Sequence, residues 1–387
     1  MKITHICLCG PVTDNWTYQD NLLPKYHKKI GYDISVITSQ YIYDNKGNLD
    51  IDKRTTYYNE YDIKTIRIKS RYNTTVQSKF KRYKNLYNTI DMENPDILFI
   101  HGVQFLDITA VAKFLKRNKR VKVYVDNHAD FSNSATNWFS KNILHKIIWK
   151  KCAHLIEPYT SKFYGVLPAR VDFLKKVYEL PEDKIELLVM GADDEKVIDA
   201  KKGNVKKEIR EKYNINPNDF LIITGGKIDK AKRQTLLLMQ AVKQIDKENV
   251  KLIVFGSVIN DLKDEVKSLV DNDKIQFIGW IPSDECYKYF SAADLAVFPG
   301  RHSVLWEQAV GTGLPCVFKY WEGTTHVDVG GNCKFLFKDS IEEIQSSIEN
   351  LLFNTSEYFE MKEVAGKKGM EEFSYLDIAK RSISIKT

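Results

Sequence analysis

Residues 220–238 read FLIITGGKIDKAKRQTLLL, and this stretch decides the fold. A short, unbroken apolar run turns at two adjacent glycines and leads into a segment with the apolar spacing of a helix. Such runs are typical of strands in a parallel sheet whose two faces are both covered by helices. The stretch therefore predicts one strand, loop and helix of a doubly wound α/β domain.

The same alternation of strands and helices extends from this stretch towards both ends of the chain. The other candidate strands are KITHICLC, DISVIT, TIRIK, DILFIH, VKVYVD, AHLIEP and IELLVM in the first half and KLIVFG, KIQFIG, DLAVFP, PCVFK and KFLF in the second. Because the pattern occurs twice, we predict two Rossmann-like domains, residues 1–192 and 193–365. The hinge is expected near Ala192 to Lys206, where charged residues dominate.

Apolar run length and cysteine usage limit the class of protein. No apolar run approaches the roughly 18 residues of a membrane-spanning helix, and the first residues, MKITHICLCG, have the pattern of a strand rather than of a signal peptide. The six cysteines form neither Cys-x-x-Cys pairs nor a zinc-ligand spacing. We therefore expect a protein of the reducing cytoplasm.

Positive charge is concentrated in the first half of the chain. Residues 1–190 hold 30 Lys and Arg against 20 Asp and Glu, a balance of +10, whereas the remainder holds 28 against 31. Basic and aromatic residues alternate in residues 64–84 and in KNILHKIIWKKCAHLI, residues 141–156, which contains Trp149. The second stretch contains Lys141, Lys146, Lys150 and Lys151. This composition predicts peripheral contact with an anionic membrane, with an ordinary solvated surface as the alternative. Nucleic acid is disfavoured because no nucleic-acid motif accompanies the charge.

Two loops that follow predicted strands carry the chemistry. After FLIITG, Gly226 allows close approach of backbone, and Lys227 and Lys232 follow at the start of a helix, a combination that suits a diphosphate. Solvated lysines are the alternative interpretation. The loop matches neither a Walker A motif nor a dinucleotide fingerprint, which disfavours nucleotide hydrolases and nicotinamide enzymes.

The second loop opens the stretch GRHSVLWEQAVGTGLPCV, residues 300–317. Ser303 is predicted to cap a helix over Val304 to Gly313. Glu307 would then lie in its first turns, where a carboxylate can accept hydrogen bonds from vicinal hydroxyls such as those of a ribose. A solvated helix glutamate is the alternative.

Together these features resemble the retaining glycosyltransferases of the GT-B fold, in particular the group 1 nucleotide-sugar family. GGKIDKAK is similar to that family's G-R-L-x-x-x-K segment, with Lys227 in place of the arginine, and Glu307 with QAVGTGLPCV resembles the second glutamate of its paired-glutamate signature. KIQFIGWIPSDECYKYFSAADLAVFP resembles the run that holds the nucleotide base. With the short loop before Glu307 included, the candidate donor-binding residues are Gly226, Lys227, Lys232, Gly256, Ile278, Trp280, Ile281, Arg301, His302, Ser303, Val304 and Glu307.

One departure concerns the first glutamate of the signature, which the family has eight positions before the second. Here that position is Pro299, and the loop is shorter and contains Arg301, His302 and Ser303. Our hypothesis is that His302 or Arg301 contacts the sugar or its phosphate instead.

In the first half, GPVTDNWTYQDNLLPKYHKKIGYDISVIT resembles the family's opening strand, loop and helix at the interdomain cleft. The acceptor and cleft residues that this implies are Gly10, Asp14, Asn15, Trp16, Gln19 and Asp126. His128 in VYVDNHADFSNSA stands where the family often has a histidine near the reacting carbon, with Asp130 beside it. A structural histidine is the alternative. FSYLDIAKRSIS resembles the helix that crosses back onto the first domain, here within residues 366–387.

The resemblance implies a cytoplasmic GT-B enzyme, peripheral to the inner face of the membrane if the basic surface binds lipid. It would transfer a sugar, with retention, from a nucleotide-diphosphate sugar such as a UDP-sugar to a glycan or lipid-linked acceptor. Donor would bind the second domain and acceptor the first, with neither a cofactor nor a metal. The alternatives are a sugar-nucleotide epimerase or hydrolase on the same fold and a non-catalytic, membrane-associated protein that binds nucleotide sugars.

Overall fold

The computed structural model describes residues 1–44, 47–72 and 80–384. It divides into two compact units. Unit 1 comprises Met1–Val189 and the chain from Leu376 onward, and unit 2 comprises Met190–Tyr375. Both are α/β units with mostly parallel sheets, which confirms the predicted fold class.

Unit 1 is built on an eight-stranded sheet of order β10-β9-β8-β7-β1-β2-β6-β5, in which only β5 runs antiparallel to its neighbour. These strands are β1 (Lys2–Cys7), β2 (Asp33–Ser39), β5 (Thr56–Tyr58), β6 (Lys64–Ile68), β7 (Ile97–His101), β8 (Lys122–Asn127), β9 (Thr160–Gly165) and β10 (Ile185–Leu187). A separate hairpin pairs β3 (Tyr41–Tyr43) with β4 (Leu49–Ile51). Strand order reverses at β1, which lies between β2 and β7, so the carboxyl ends of β1 and β7 flank a switch point.

Buried residues of several strands and helices form one apolar core, and helices pack against the sheet. They are α1 (Gln19–Lys29), α2 (Leu86–Glu93), α3 (Ile108–Arg117), a π-helical segment (Ser140–Trp149) that continues into α4 (Lys150–Ile156), and α5 (Pro168–Lys176). The last helix of the chain, α14 (Tyr375–Ser382), lies almost wholly in this unit. Buried strands such as ILFIH of β7 have side chains covered on both sides, which explains their unbroken apolar pattern.

Unit 2 has a six-stranded parallel sheet of order β13-β12-β11-β14-β15-β16. The strands are β11 (Phe220–Gly225), β12 (Val250–Phe255), β13 (Ile275–Gly279), β14 (Leu295–Phe298), β15 (Cys316–Lys319) and β16 (Cys333–Leu336). The helices are α6 (Asp194–Ala200), α7 (Val205–Lys212), α8 (Gln234–Gln244), α9 (Lys263–Leu269), α10 (Cys286–Ala292), α11 (Leu305–Gly311), α12 (Ile341–Phe353) and α13 (Thr355–Phe373). The switch point lies between β11 and β14, whose following loops are the two singled out in the sequence.

Two predicted domain boundaries and one predicted strand differ from the structure. The chain passes between units after Val189, upstream of the predicted hinge, and returns at Leu376 rather than at residue 366, because α13 continues without a break to Phe373. AHLIEP is not a strand, since its residues lie in α4 and the following short 3-10 turn. Within the described residues no helix combines the length and the apolar character needed to cross a bilayer.

Candidate functional site

At the switch point of unit 2, the loop after β11 meets the turn after β12 with almost no room for side chains. Gly226 and Gly256 have φ angles of +118° and +127°, a region that L side chains rarely adopt. A Cβ on Gly256 would stand 1.9 Å from the carbonyl oxygen of Gly226. The two glycines therefore allow two backbone turns to touch at the sheet edge where ligands of such folds bind.

Lys232 and Lys227 occupy different environments in this loop. The Asp229 carboxylate accepts hydrogen bonds from two loop amides at 2.9 and 3.1 Å, which fixes the turn. Lys232 Nζ lies 4.0 Å from the Cβ position of Gly226, and burial lowers the pKa of this ammonium, with Asp229 opposing and Arg301 reinforcing the shift. The Lys227 side chain is 62% exposed. The structure therefore places Lys232 against the switch-point glycine and leaves Lys227 extending into solvent.

Glu307 is fully buried in α11 and is held by two histidines. His302 Nε2 and His326 Nε2 both donate to the same oxygen, Oε1, each at 2.9 Å. Oε2 has no hydrogen-bond partner among the described residues. Burial alone would raise the pKa of this carboxyl, but His302 and His326 lower it to about 2. Glu307 is therefore an anion with one oxygen fixed and the other without a protein donor.

The entry to α11 differs from the sequence prediction. The helix begins at Leu305 and ends at Gly311, and the predicted cap by Ser303 is wrong, because Val304 occupies the capping position and offers no side-chain acceptor. The Ser303 carbonyl instead accepts a hydrogen bond from the Trp306 amide at 2.9 Å. The loop is thus closed by backbone hydrogen bonding, and it directs His302 back onto the helix that carries Glu307.

The predicted base-binding residues lie where β13 ends. Trp280 is 61% exposed, while Ile278 and Ile281 are half-buried. Gly279 between them has a φ of +74°, so the chain turns sharply at this point. An exposed indole next to a half-buried aliphatic pair provides a surface on which a planar base can stack.

In unit 1, Asp126 at the end of β8 gathers several side chains around one of its oxygens. Asp126 Oδ2 accepts from Gln19 Nε2 at 2.9 Å and from His101 Nδ1 at 2.8 Å, and His128 Nε2 lies 3.4 Å away. Asp126 Oδ1 and Gln19 Oε1 are buried without a partner in the described chain. Burial would raise the pKa of Asp126, but His101 and His128 outweigh it and hold the pKa well below its usual value. Asp126 is therefore a buried anion that retains an unused acceptor.

His128 and Asp130 follow β8 and have unlike roles in the local structure. The His128 side chain is 38% exposed and reaches back to Asp126. The Asp130 carboxylate accepts from the Ser132 amide at 2.7 Å and the Asn133 amide at 3.2 Å, and it pairs with Arg170 Nε at 3.1 Å. Asp130 thus shapes the turn that carries His128, and its oxygens are occupied by protein donors.

The remaining cleft candidates are bound to neighbouring loops rather than to Asp126. The Asp14 carboxylate pairs with Arg54 at 2.7 Å, and the Asn15 amide donates to Glu60 at 2.7 Å. Trp16 stacks on the Tyr43 ring with 5.6 Å between the ring centroids. Gly10 is exposed near the start of the loop that follows β1. Of the six predicted residues, the structure brings only Gln19 and Asp126 into direct contact.

Three groups of potential ligand side chains lie within 4.8 Å in the described part of the chain. They are Cys7–Asp20–His101, His101–Asp126–His128 and His302–Glu307–His326. The shortest separations in the last two, 2.8 and 2.9 Å, are hydrogen-bond distances, whereas two ligands of one tetrahedral zinc stand about 3.4 Å apart. The side chains of the last two groups are therefore spaced for hydrogen bonds rather than for ligation of one metal ion.

Sequence reasoning missed His326 and His101. His326 lies in a short 3-10 turn after β15, and His101 is the last residue of an apolar strand, where it reads as part of the core. The position of His101 at the carboxyl end of a predicted parallel strand is the one signal that could have indicated it.

The two doubly wound units have the architecture of GT-B glycosyltransferase structures. A glycosyltransferase structure from Rickettsia africae superposes with a TM-score of 0.69 at 14% identity, covering 100% of this chain and 99% of that one. The structure of Anabaena Alr3699/HepE in complex with UDP has the same TM-score and identity and covers 98% of each chain. At this level of identity the likeness concerns the fold.

A family model matches the sequence of the second unit. Residues 205–369 match the model described as Glycosyl transferases group 1. An uncharacterized glycosyltransferase of Methanocaldococcus jannaschii, MJ1607, is 20% identical over 219 residues, 54% of this chain and 55% of that protein. The chain spans about half the length of the first curated relatives it matches.

Proposed function

We propose that the protein transfers a sugar from a nucleotide-diphosphate sugar, with UDP as the nucleotide, to a glycan or lipid-linked acceptor in the synthesis of surface polysaccharide or glycoconjugate. The observation that carries the proposal is Glu307, a buried anion at the switch point of a group 1 glycosyltransferase domain. Its unpartnered Oε2 can accept from a ribose hydroxyl. The UDP in the Anabaena structure supports a uridine donor.

Lys232 would supply the charge for the donor's diphosphate. It is a partly buried cation of the loop, and burial lowers its pKa. An anion bound at the Gly226 turn would stabilise the protonated ammonium. Arg301 is the second cation near this point: it follows Gly300, whose Cβ position lies 3.8 Å from Lys232 Cα, and its charge lowers the pKa of Lys232. Two neighbouring cations at a sheet's carboxyl edge suit a diphosphate better than a neutral sugar.

For the chemistry, we propose retention without a side-chain nucleophile. The acceptor hydroxyl attacks the anomeric carbon on the face that the nucleotide leaves, and the bond between that carbon and the diphosphate oxygen breaks. The departing oxygen takes the hydroxyl proton, so no protein base has to remove it. His128, half-exposed and oriented by Asp126, would position the sugar or the acceptor. Neither a cofactor nor a metal is assigned a role.

Replacing Lys232 with alanine tests the donor site. Loss of one charge-assisted contact of about 1.5–3 kcal/mol should raise the Kd for UDP-sugar roughly 10- to 100-fold, measured by isothermal titration calorimetry. Lys230→Ala is the matched control, because its side chain is 80% exposed on the same loop and faces Asp261 at 3.3 Å. Equal effects of the two substitutions, or none from Lys232→Ala, would refute the assignment.

Product analysis separates transfer from the rival functions. With a donor that is radiolabelled in the sugar, a transferase moves label to an added acceptor, an epimerase returns a different nucleotide sugar, and a hydrolase releases free sugar without any acceptor. Binding without any of these products would leave the non-catalytic alternative. We expect acceptor-dependent transfer as the dominant reaction.

We also propose that unit 1 contacts an anionic membrane surface. Trp138, Phe139 and Ile147 are 70%, 54% and 46% exposed on or next to the π-helical segment, and Lys141 and Lys146 are exposed beside them. Trp149, which the sequence suggested for this face, is buried in the core instead. Residues 73–79 of the other basic stretch lie outside the described residues.

The double substitution Lys141→Glu/Lys146→Glu tests this surface. Each basic residue near an anionic bilayer contributes about 1 kcal/mol, so charge reversal should weaken binding to vesicles that contain anionic phospholipid at least about tenfold, measured by co-sedimentation at low salt. Lys116→Glu/Lys119→Glu, on exposed positions around the end of α3, is the control. Wild-type binding that is indifferent to salt and to anionic lipid would contradict the proposal.

A further inference from the structure

Three buried histidines of unit 1 form an unbroken row that ends on Asp126. His101 Nδ1 contacts Asp126 Oδ2 at 2.8 Å, and His101 Nε2 contacts His5 Nδ1 at 2.9 Å. His5 Nε2 contacts His27 Nδ1 at 3.0 Å. Beyond His27, its Nε2 meets Ser382 Oγ at 2.8 Å. The row therefore joins β8, β7, β1, α1 and the end of α14.

The three imidazoles of the row are buried. The exposed fractions of His5, His27 and His101 are 0%, 0% and 3%. Every ring nitrogen in it has a partner at hydrogen-bond distance, so the proton positions of all three rings depend on one another. Each ring can donate at one nitrogen and accept at the other, and the direction of one bond dictates the direction of the next.

Charged groups are concentrated at one end of the row. Asp126 and Asp20 face His101 Nδ1, Asp20 at 3.2 Å, while the Cys7 thiol and the partly exposed His128 also lie at that end. The Asp126 carboxylate, together with Cys7 and Asp20, raises the pKa of His101 despite its burial.

At the other end of the row the histidines are neutral. Burial and the neighbouring imidazoles lower the pKa of His5. Burial lowers the pKa of His27 to about 3, with the Ala379 carbonyl opposing and His101 reinforcing the shift. A proton held by the row therefore resides on His101.

The far end of the row can either give or take a hydrogen bond. The Ser382 hydroxyl can donate to His27 Nε2, or it can donate to the Ala379 carbonyl at 2.8 Å. The Ala379 carbonyl also lies 3.1 Å from His27 Nε2, and as a pure acceptor it can receive a hydrogen from that nitrogen. Two complete arrangements of the row follow, and they differ by one proton.

In the neutral arrangement every hydrogen bond runs towards Asp126. Ser382 donates to His27 Nε2, His27 Nδ1 donates to His5, His5 Nδ1 donates to His101, and His101 Nδ1 donates to Asp126. In the protonated arrangement a proton from the solvent enters at His27 Nε2, the His27 Nδ1 hydrogen passes to His5 Nε2, and the His5 Nδ1 hydrogen passes to His101 Nε2. His101 becomes an imidazolium, and the Ser382 hydroxyl turns to the Ala379 carbonyl. Two hydrogens each move to the neighbouring ring, the His101 Nδ1 hydrogen stays in place, and one proton is gained.

We propose that His27, His5 and His101 form a proton relay that runs from the Ser382 end of α14 to His101, a positioning residue that holds Asp126. In both arrangements His101 Nδ1–H stays on Asp126 Oδ2. The carboxylate therefore remains an oriented anion whose Oδ1 is left for a ligand. Only the role of Asp126 beside His128 rests on the proposed function, because the relay itself is a property of unit 1.

The test is nitrogen NMR of the full chain labelled with ¹⁵N-histidine, recorded from pH 5 to pH 9. The ¹⁵N shifts report which ring nitrogen of each of the eight histidines carries hydrogen. We expect His101 Nδ1 to be protonated throughout, and His5 and His27 to exchange their protonated nitrogens together at the pH where His101 titrates. Unchanged tautomers of His5 and His27 across the range, or a His101 Nδ1 without hydrogen, would overturn the proposal.

Ser382→Ala gives a directional check, and Ser384→Ala is its matched control on an exposed hydroxyl two residues away. Without the Ser382 hydroxyl, only the Ala379 acceptor remains, which favours the protonated arrangement. The titration of His101 should therefore move to higher pH in Ser382→Ala and stay unchanged in Ser384→Ala; no shift in Ser382→Ala would overturn the relay. These readouts need no turnover, so a failure of the relay is distinguishable from a failure of the transferase assignment.

Discussion

Replacing Glu307 with glutamine is expected to lower kcat/KM for the donor about 100-fold. The glutamine can keep an oxygen towards His302 and His326, but it places an NH₂ group where the unpartnered Oε2 stands. A charge-assisted hydrogen bond is about twice as strong as a neutral one. Weakening two ribose contacts by about 1.4 kcal/mol each therefore gives the hundredfold effect.

The measurement is steady-state kinetics together with calorimetric binding of UDP. Glu322→Gln is the control, because it removes an exposed carboxylate from the same unit. An unchanged Kd for UDP in Glu307→Gln would show that the carboxylate does not read the pentose, whatever happens to turnover.

We also expect the difference in thermal stability between Glu307→Gln and the wild type to depend on pH. The pKa of Glu307 is about 2 in the folded chain and about 4.3 in an unfolded one. A lowered pKa contributes stability above the unfolded value, and this contribution is lost as the pH falls towards 2. The melting temperature of Glu307→Gln should therefore lie below that of the wild type at pH 7 and converge with it as the solution is acidified.

The sequence identifies the two loops of the proposed donor site in unit 2, but it does not show that Glu307 is buried and bound by two histidines. The glycine pair after β11 and the helix after β14 are local patterns, and parallel-sheet topology brings them to one switch point. One of the two histidines bound to Glu307 is His326, which lies nineteen residues away on another loop. No periodicity links those two residues, so a solvated helix glutamate was an equally natural interpretation.

One apolar run in the sequence also gave a wrong secondary-structure prediction. AHLIEP has the length and composition of a buried strand, yet its residues continue a helix that begins in the π-helical segment. Short apolar runs do not distinguish a buried strand from a buried helix turn. The sequence does not predict the histidine row either, because His5 and His101 lie within apolar strands and resemble ordinary core residues. Their contact depends on the pairing of β1 with β7, which the sequence does not give.

Replacing Asp126 with asparagine is expected to lower kcat about 100-fold. Three side chains, Gln19, His101 and His128, are grouped around its Oδ2. An amide can satisfy only some of them, and the half-exposed His128 is then free to leave its position. Misplacement of a positioning group by about 1 Å typically costs two orders of magnitude in rate. Binding of UDP should be unaffected, because the nucleotide is assigned to unit 2.

A suitable control is Asp52→Asn, which also removes a buried, paired carboxylate from unit 1, here one bound to Arg54 and Arg67. Both variants should lose thermal stability, since each removes the nearer carboxylate from a buried basic group; Arg67 keeps Asp14 at 3.5 Å and His101 keeps Asp20 at 3.2 Å. Only Asp126→Asn should lose turnover, and EDTA should change neither rate if no metal takes part. A rate that EDTA abolishes would reassign the cluster of His101, Asp126 and His128 to a metal, because the ion would then replace the proton between His101 and the carboxylate.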